Sequence, residues 1–223
     1  MREILEFSPK LFIFCELLVF PPDSVFFCTF SVVFCLKNFI IVTAIFYFGD
    51  FFNMNVFEAI NKRRDVRSFL DKPIPEEALV KVLESARLAP SAMNRQEWRF
   101  IIVKDFEVKK RLAKATIGQD FIEVAPVIIV ACGIDHGQLM PNGISYVPVD
   151  VTIALDHITL VAVEVGLGTC WIGEFKEDEV KKILKIPVGV RVIQLMPIGY
   201  PVKGIYPKKN RLPITSIVKN EHW

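Results

Sequence analysis

The feature that most restricts how this chain can fold is a change of composition at Met54. Residues 1–53 hold 13 of the 19 Phe and only eight charged side chains. The 170 residues from Met54 onward carry 24 basic and 20 acidic side chains, a formal net charge of +4. That balance is typical of an ordinary globular domain, and the length of 223 residues with 52% apolar side chains excludes disorder, a collagen-like repeat and a small disulfide scaffold. We therefore expect a Phe-rich segment, 1–53, followed by one domain, 54–223.

Three interpretations of residues 1–53 are open. One is sequence translated upstream of the working start. Met54 stands directly before Asn55 and Glu58, which have the spacing of a helix capping box. The second is a membrane anchor, and the third is a buried structural arm.

The best candidate for a membrane anchor is Val25–Phe48. It is long enough to cross a bilayer core of about 30 Å, but Lys37 falls near its middle, where a charge opposes insertion. A secretory signal is not expected, because the apolar run has no small-residue cleavage site and is interrupted by acids at Glu3, Glu6 and Glu16.

The cysteines and histidines do not have the spacing of a disulfide framework or a metal site. The five Cys include no C-x-x-C pair, and the three His are scattered. Cys132 and Cys170 lie in apolar runs, where a free thiol acts as a small core residue. We expect a reduced, cytoplasmic protein without a bound metal.

Helices and strands alternate irregularly along the domain, which predicts an α+β or mixed α/β sandwich. Helices are predicted over 55–63, from Pro75 to Pro90, and over 107–115, 150–165 and 177–184; strands over 99–103, 126–132, 169–172 and 190–198. The helix at 150–165 is apolar around most of its circumference and should be central, with Gly166 as its C-cap. The loop 136–147 could act as a lid, and residues 200–223 show no helical period.

Three polar segments are candidates for chemistry, although each taken alone also fits a solvated surface or a turn. They are KRRDVR at 62–67, APSAMNRQEW at 89–98 and KKNRLP at 208–213. Arginine presents a planar set of donors that suits phosphate. Two basic clusters and an amide-bearing loop suit one phosphorylated aromatic cofactor. They also suit a nucleic-acid backbone, but the modest net charge and the lack of interleaved aromatics argue against that partner.

Five motifs in order resemble the nitroreductase family of FMN enzymes. They are RRDVRSF, APSAMNRQEWRFIIV, GLGTCWIGEF, MPIGYP and KKNRLP, and they extend from about Met54 to Pro213. Residues 1–53 have no counterpart in the family pattern. The resemblance implies a mixed sheet covered by helices on both faces, in an intertwined homodimer with FMN at the subunit interface.

The resemblance also implies a set of cofactor-binding residues: Arg63, Arg64, Asp65, Arg67, Pro90, Ser91, Asn94, Ile172, Gly173, Lys209 and Arg211. Arg63 and Arg64 match the pair at the flavin phosphate and ribityl chain, and two tail residues, Lys209 and Arg211, match those that complete that site. Arg67 matches the cation near the pyrimidine edge, where positive charge stabilises the reduced flavin.

Other matched positions surround the ring. Pro90, Ser91 and Asn94 match a loop that the second subunit lays against the flavin. Ile172 and Gly173 match a turn whose backbone N–H faces flavin N5. Asp65 stands where the family usually has Ser; because a carboxylate repels phosphate, we expect it to hold Arg63 or Arg67 instead. Trp98 and Trp171 are expected to be core aromatics.

The function implied is an oxidoreductase in which NAD(P)H reduces FMN and a nitroaromatic, quinone or similar acceptor then takes the electrons. No side chain is expected to act as acid or base. The first alternative is a dehydrogenase or dehalogenase of the same fold acting on one metabolite, although the short loop at 136–147 favours an open cleft. The other alternative is a nucleic-acid-binding module. Membrane attachment is expected only if residues 1–53 are an anchor.

Overall fold

The structure is a computed structural model, and it describes residues 3–6, 11–15, 30–34, 54–204 and 209–223. The chain forms two compact units, Met1–Asn53 and Met54–Trp223. In the first unit, strands β1 (Glu3–Glu6), β2 (Leu11–Cys15) and β3 (Phe30–Phe34) form an antiparallel sheet in that order. The rest of the proposed anchor Val25–Phe48 lies outside the described residues.

The second unit contains every predicted helix and strand, so the α+β class is confirmed. Its helices are α1 (Val56–Lys62), α2 (Glu76–Arg87), α3 (Phe106–Ala115), α4 (Tyr146–Glu164), α5 (Glu177–Leu184) and α6 (Ile214–Ile217). Its strands are β4 (Trp98–Val103), β5 (Val127–Ile134), β6 (Gly168–Thr169) and β7 (Val190–Gly199). The single turn of α6 is a helix that the sequence analysis missed, and β6 is shorter than the predicted strand 169–172.

The sheet of this unit has the order β4-β5-β7-β6, and each neighbouring pair is antiparallel. The expectation of a mixed sheet is therefore wrong for these strands. Val103 at the end of β4 pairs with Ile128 at the start of β5. The chain thus leaves and re-enters the sheet at the same end, which makes neighbours antiparallel. Within the described ranges, parallel pairing is limited to an isolated bridge between Asp65 and Thr169.

Helices cover both faces of the sheet, as predicted. On one face, α2 and α4 pack over a core that includes Ile129, Ala131 and Met196. On the other, α3 and α5 enclose a second core with Ile128, Val130 and Leu195. The alternation of residues along β5 between these cores is the two-residue period of a strand buried on both sides.

The two cysteines of this unit are buried free thiols, as expected. Cys132 and Cys170 belong to the core under α3 and α5. Burial raises the pKa of Cys132 to about 11. Both side chains therefore act as small core residues and not as nucleophiles.

Helix α4 is the central helix, but it begins four residues before the predicted start at Asp150. The Ser145 hydroxyl accepts a hydrogen bond from Val147 N–H, and Pro148 lies in the first turn, where no N–H is needed. Gly166 follows the helix with φ +76°, as the predicted C-cap requires. Of the helices described, α4 alone is long and apolar enough to cross a membrane, and here its residues fill the core between the sheet and α2.

Candidate functional site

The segment after α1 is fixed against β6 and the end of β7. Val66 N–H donates to the Thr169 carbonyl at 2.9 Å, and Leu70 N–H donates to the Tyr200 carbonyl at 2.8 Å. Gly168 allows this approach, because a Cβ there would lie 2.4 Å from Val66 Cγ2. The basic motif is therefore held along the edge of the sheet.

Arg63 and Asp65 form an ion pair, with 3.0 Å between Nη1 and Oδ1. The expectation that Asp65 holds a neighbouring arginine is confirmed for Arg63. Arg67 is exposed, and it makes no hydrogen bond or ion pair with any residue that the structure describes. Burial raises the pKa of Cys170, and the positive charge of Arg67 opposes that rise. The Arg67 guanidinium therefore lies close enough to the buried Cys170 thiol, next to β6, to affect its pKa.

The tail returns to the end of α1 and completes a group of four basic residues, here called the cationic cluster: Arg63, Arg64, Lys209 and Arg211. Lys209 Nζ donates to the Ile60 carbonyl. The pKa of Lys209 is lowered first by desolvation and then by repulsion from Arg64, Arg63 and Arg211. Four cations from distant parts of the chain are thus brought together, as the sequence analysis expected.

Only one member of the cationic cluster has a carboxylate partner among the described residues, namely Arg63. Arg64 Nη1 donates to the Asn61 and Arg63 carbonyls at 2.5 and 2.8 Å, and Arg211 Nη1 to the Asn210 carbonyl at 2.8 Å. Uncompensated like charges held together are typical of an anion-binding site.

The turn at Ile172 and Gly173 offers one backbone donor, not two. Ile172 N–H donates to the Leu195 carbonyl at 3.0 Å, and Leu195 N–H donates back at 3.1 Å. Gly173 is exposed, and its N–H has no acceptor in the described ranges. Ile172 is therefore excluded as a donor to a ligand, which leaves Gly173.

The loop with Pro90, Ser91 and Asn94 has a backbone that the sequence analysis did not anticipate. Met93, Asn94 and Gln96 have positive φ angles of 52°, 55° and 54°, although none is glycine. Ser91 Oγ accepts a hydrogen bond from Gln96 N–H at 3.0 Å, which closes the loop at its base. Strain of this kind is concentrated at functional sites.

Asp150, which the sequence analysis did not select, holds this loop. Its side chain is 4% exposed, and its two oxygens accept from Ala92 N–H at 3.2 and 3.1 Å. Burial raises its pKa. An acid at the start of a predicted helix was the available signal. No hydrogen bond between described residues joins the loop to the cationic cluster, so its contact with the flavin of a second subunit stays a prediction.

The segment 136–145 is fastened to the same loop. Arg95 donates to Gln138 Oε1 and lies 5.7 Å from the centre of the Tyr146 ring. Glu97 Oε1 is 3.5 Å from His136 Nε2. The predicted lid therefore has polar anchors and is shorter than expected, because α4 begins at Tyr146.

The tryptophans are core residues, as predicted. Trp98 is 6% exposed, and Trp171 is half-buried against the same core. Because both indole rings pack against core side chains, neither is a candidate for stacking on a ligand.

Comparison with known proteins agrees with the arrangement of the fold and the motifs. The Nitroreductase family model matches residues 60–119 and 113–200. The FMN reductase (NAD(P)H) of Bacillus subtilis is 31% identical over 185 residues, which cover 75% of this chain and 74% of that protein. Human iodotyrosine deiodinase 1 is 25% identical over 194 residues, covering 73% and 67%.

Solved structures give the same result. A nitroreductase family protein of Clostridium difficile superposes with a TM-score of 0.70 and 32% identity, covering 76% of this chain and 100% of that one. An FMN-dependent nitroreductase from another strain of that species has a TM-score of 0.66 and 27% identity, covering 74% and 98%. From the family model, the order of the motifs and the shared fold, the chain belongs to the nitroreductase family.

Proposed function

We propose that this protein is an FMN-dependent oxidoreductase that takes electrons from NAD(P)H and passes them to a nitroaromatic, quinone or similar small acceptor. The observation that carries the proposal is the cationic cluster, whose Arg64, Lys209 and Arg211 have no acidic partner in the described part of the chain. The names of the relatives, an FMN reductase and an FMN-dependent nitroreductase, support the cofactor.

The cationic cluster would hold the FMN phosphate. The pKa of Lys209 is lowered first by desolvation and then by repulsion from the other three cations, and a phosphate dianion would relieve the repulsion. Arginine forks also match the geometry of phosphate oxygens. Asp65 neutralises part of this charge through Arg63, so the cluster attracts phosphate less strongly than four free cations would.

Arg67 and Gly173 would bind the flavin ring. When bound, FMN supplies the hydride and electron chemistry, and the protein supplies position and charge. The unpaired Arg67 guanidinium would lie near the pyrimidine edge, where negative charge develops on reduction. Gly173 N–H would donate to N5. This assignment uses no side chain as an acid or base.

A homodimer would complete the site. The loop with Pro90, Ser91 and Asn94 would reach the flavin of the second subunit. Exposed apolar side chains support an interface of this chain with itself: Val56, Phe57, Ile60, Leu88, Leu212, Ile214, Ile217 and Trp223. Two of them, Val56 and Leu88, line a groove of about 370 Å³ together with Met54, His157 and Leu160 among others. We also propose a cytoplasmic location, which buried free thiols favour.

The test is an anaerobic absorbance spectrum of the full chain, purified without added flavin and then mixed with FMN. The two visible bands of oxidised flavin should be present and should bleach when NADH or NADPH is added. Reoxidation by a nitroaromatic or a quinone should restore them. A folded, colourless protein that takes up no FMN would contradict the proposal.

A second candidate is a flavin enzyme of the same fold that acts on one metabolite, as a dehydrogenase or dehalogenase. It is favoured by the similarity to iodotyrosine deiodinase. Turnover of an iodinated phenol at a rate above that of nitroaromatics and quinones would select it. A nucleic-acid-binding role is disfavoured, because the cationic cluster converges on one place and does not form a stripe.

A further inference from the structure

Gln194 lies directly opposite Gly173 at the edge of the sheet. Ile172 and Leu195 form an antiparallel bridge, so the next opposing pair along the two segments is Gly173 and Gln194. A Cβ built on Gly173 would lie 3.7 Å from Gln194 Oε1 and 3.8 Å from Nε2. Because residue 173 has no side chain, nothing from it covers this amide.

Neither polar group at this position has a hydrogen-bond partner among the residues that the structure describes. The Gln194 side chain is half-buried, and its amide makes no hydrogen bond to any residue in the described ranges. The adjacent Gly173 N–H is in the same state. Both polar atoms of the Gln194 amide are open to solvent, because no buried polar side-chain atom of the described residues lacks a hydrogen-bond partner. A ligand can therefore reach this amide and the exposed Gly173 N–H together, and the two groups suit a ligand with complementary polar atoms.

A β-bulge in β7 sets the direction of Gln194. Ala131 pairs with Gln194 while Cys132 pairs with Val192, which leaves Ile193 as an extra residue. Bulges turn a side chain away from its regular direction and are frequent beside active sites. The neighbours of Gln194 across the sheet, Ala131 and Gly173, are both small, so its amide stays uncovered.

We propose that the Gln194 amide and Gly173 N–H together bind the polar edge of the isoalloxazine ring that carries N5 and the C4 carbonyl. This inference rests on the proposed function. Gln194 Nε2 would donate to the C4 carbonyl oxygen, beside the N5 contact of Gly173. A hydrogen bond to a charged acceptor is stronger than one to a neutral acceptor. Gln194 therefore stabilises reduced FMN more than oxidised FMN and raises the reduction potential.

The test uses the full chain carrying Gln194→Met, which keeps the length of the side chain and removes its hydrogen bonds. The variant should still bind oxidised FMN, because the cationic cluster is intact. Reduced FMN should lose about tenfold more affinity than oxidised FMN, which lowers the midpoint potential by about 30 mV for a two-electron couple. The visible bands of the bound flavin should also shift.

Gln194→Glu is the second variant, and it provides the test if Gln194→Met does not fold. It keeps the shape and replaces the donor by a carboxylate, so the midpoint potential should fall at least as far. The control is Gln119→Met. Gln119 is also half-buried, but it lies before the 3₁₀ turn at Asp120–Val124 and makes no capping hydrogen bond there. This control should match the wild type in potential and spectrum.

The outcomes separate the two proposals. If wild type binds FMN and both Gln194 variants keep its potential and spectrum, Gln194 does not touch the flavin and this inference is overturned, while the proposed function stands. If wild type takes up no FMN, both are overturned. A shift in the Gln194 variants alone supports the assignment.

Discussion

Arg63 and Asp65, two residues apart on an extended segment, form an ion pair with 3.0 Å between their side-chain atoms. Asp65 thereby neutralises one of the four cations of the proposed phosphate site. Asp65→Ser should free Arg63 and tighten FMN binding about fivefold, a change of ~1 kcal/mol typical of an exposed charge pair. Titration of flavin fluorescence measures it, with the exposed Asp120→Ser, which removes a carboxylate that has no ion pair among the described residues, as control. Weaker binding in Asp65→Ser would show that the carboxylate contacts the cofactor directly.

Arg67 and Arg211 should affect different steps. Arg67→Ala should lower the rate of flavin reduction more than FMN affinity, since its charge matters most when the ring is reduced. Arg211→Ala should weaken FMN binding with little change in thermal stability. Stopped-flow reduction and FMN titration separate the two effects, and the exposed tail residue Lys219→Ala serves as control. Equal losses of rate and affinity in Arg67→Ala would make Arg67 a binding residue only.

Gly168 should tolerate no side chain. Gly168→Ala would place a Cβ 2.4 Å from Val66 Cγ2 and should cost about 1–3 kcal/mol of the free energy of unfolding. It should also weaken FMN binding by displacing the basic segment. Adding Val66→Ala should recover part of the stability. Urea unfolding checks this, and Gly204→Ala, whose Cβ would meet only a carbonyl at 3.9 Å, is the control.

Glu177 should make the free energy of unfolding depend on pH in the acidic range. Burial raises its pKa, but hydrogen bonds from Arg191, Val192 N–H and Lys181 outweigh burial and lower it from 4.5 to about 2. A carboxylate with a lowered pKa stabilises the fold fully above the unfolded value, near 4.5, and loses this contribution as pH falls towards 2. The Glu177→Gln variant should therefore have a lower free energy of unfolding than the wild type at pH 7. Below pH 4.5 its free energy of unfolding should change less with pH than that of the wild type. Urea unfolding across this pH range measures both proteins. If the stability of the variant and that of the wild type change equally with pH, Glu177 does not have this role.

The compact unit Met54–Trp223 contains every candidate cofactor residue. A chain that begins at Met54 should therefore bind FMN with the affinity of the full chain. Sedimentation with membranes, compared between the two chains, tests the anchor interpretation of residues 1–53. Loss of FMN binding in the shorter chain would show that the Phe-rich segment contributes to the fold.

Local patterns were enough to predict helices α1 to α5 and the two buried cysteines, and the resemblance to the family predicted that Arg63 and the tail residues come together. The start of α4 was mispredicted: the helix was expected to begin at Asp150, beyond Pro148, although a first helical turn accepts proline. Gln194 had no signal in the sequence, since its position depends on strand register and a bulge. The positive φ angles of Met93, Asn94 and Gln96 could not be predicted either, because none of these residues is a glycine.

The cationic cluster combines Arg63 and Arg64, which follow the first helix of the domain, with Lys209 and Arg211 from the tail. During synthesis on the ribosome, the sheet and α4 are made before Lys209 and Arg211 emerge. The proposed phosphate site is therefore complete only after the tail has been translated. FMN binding would then take place after the chain has folded, and only in chains whose tail has been synthesised.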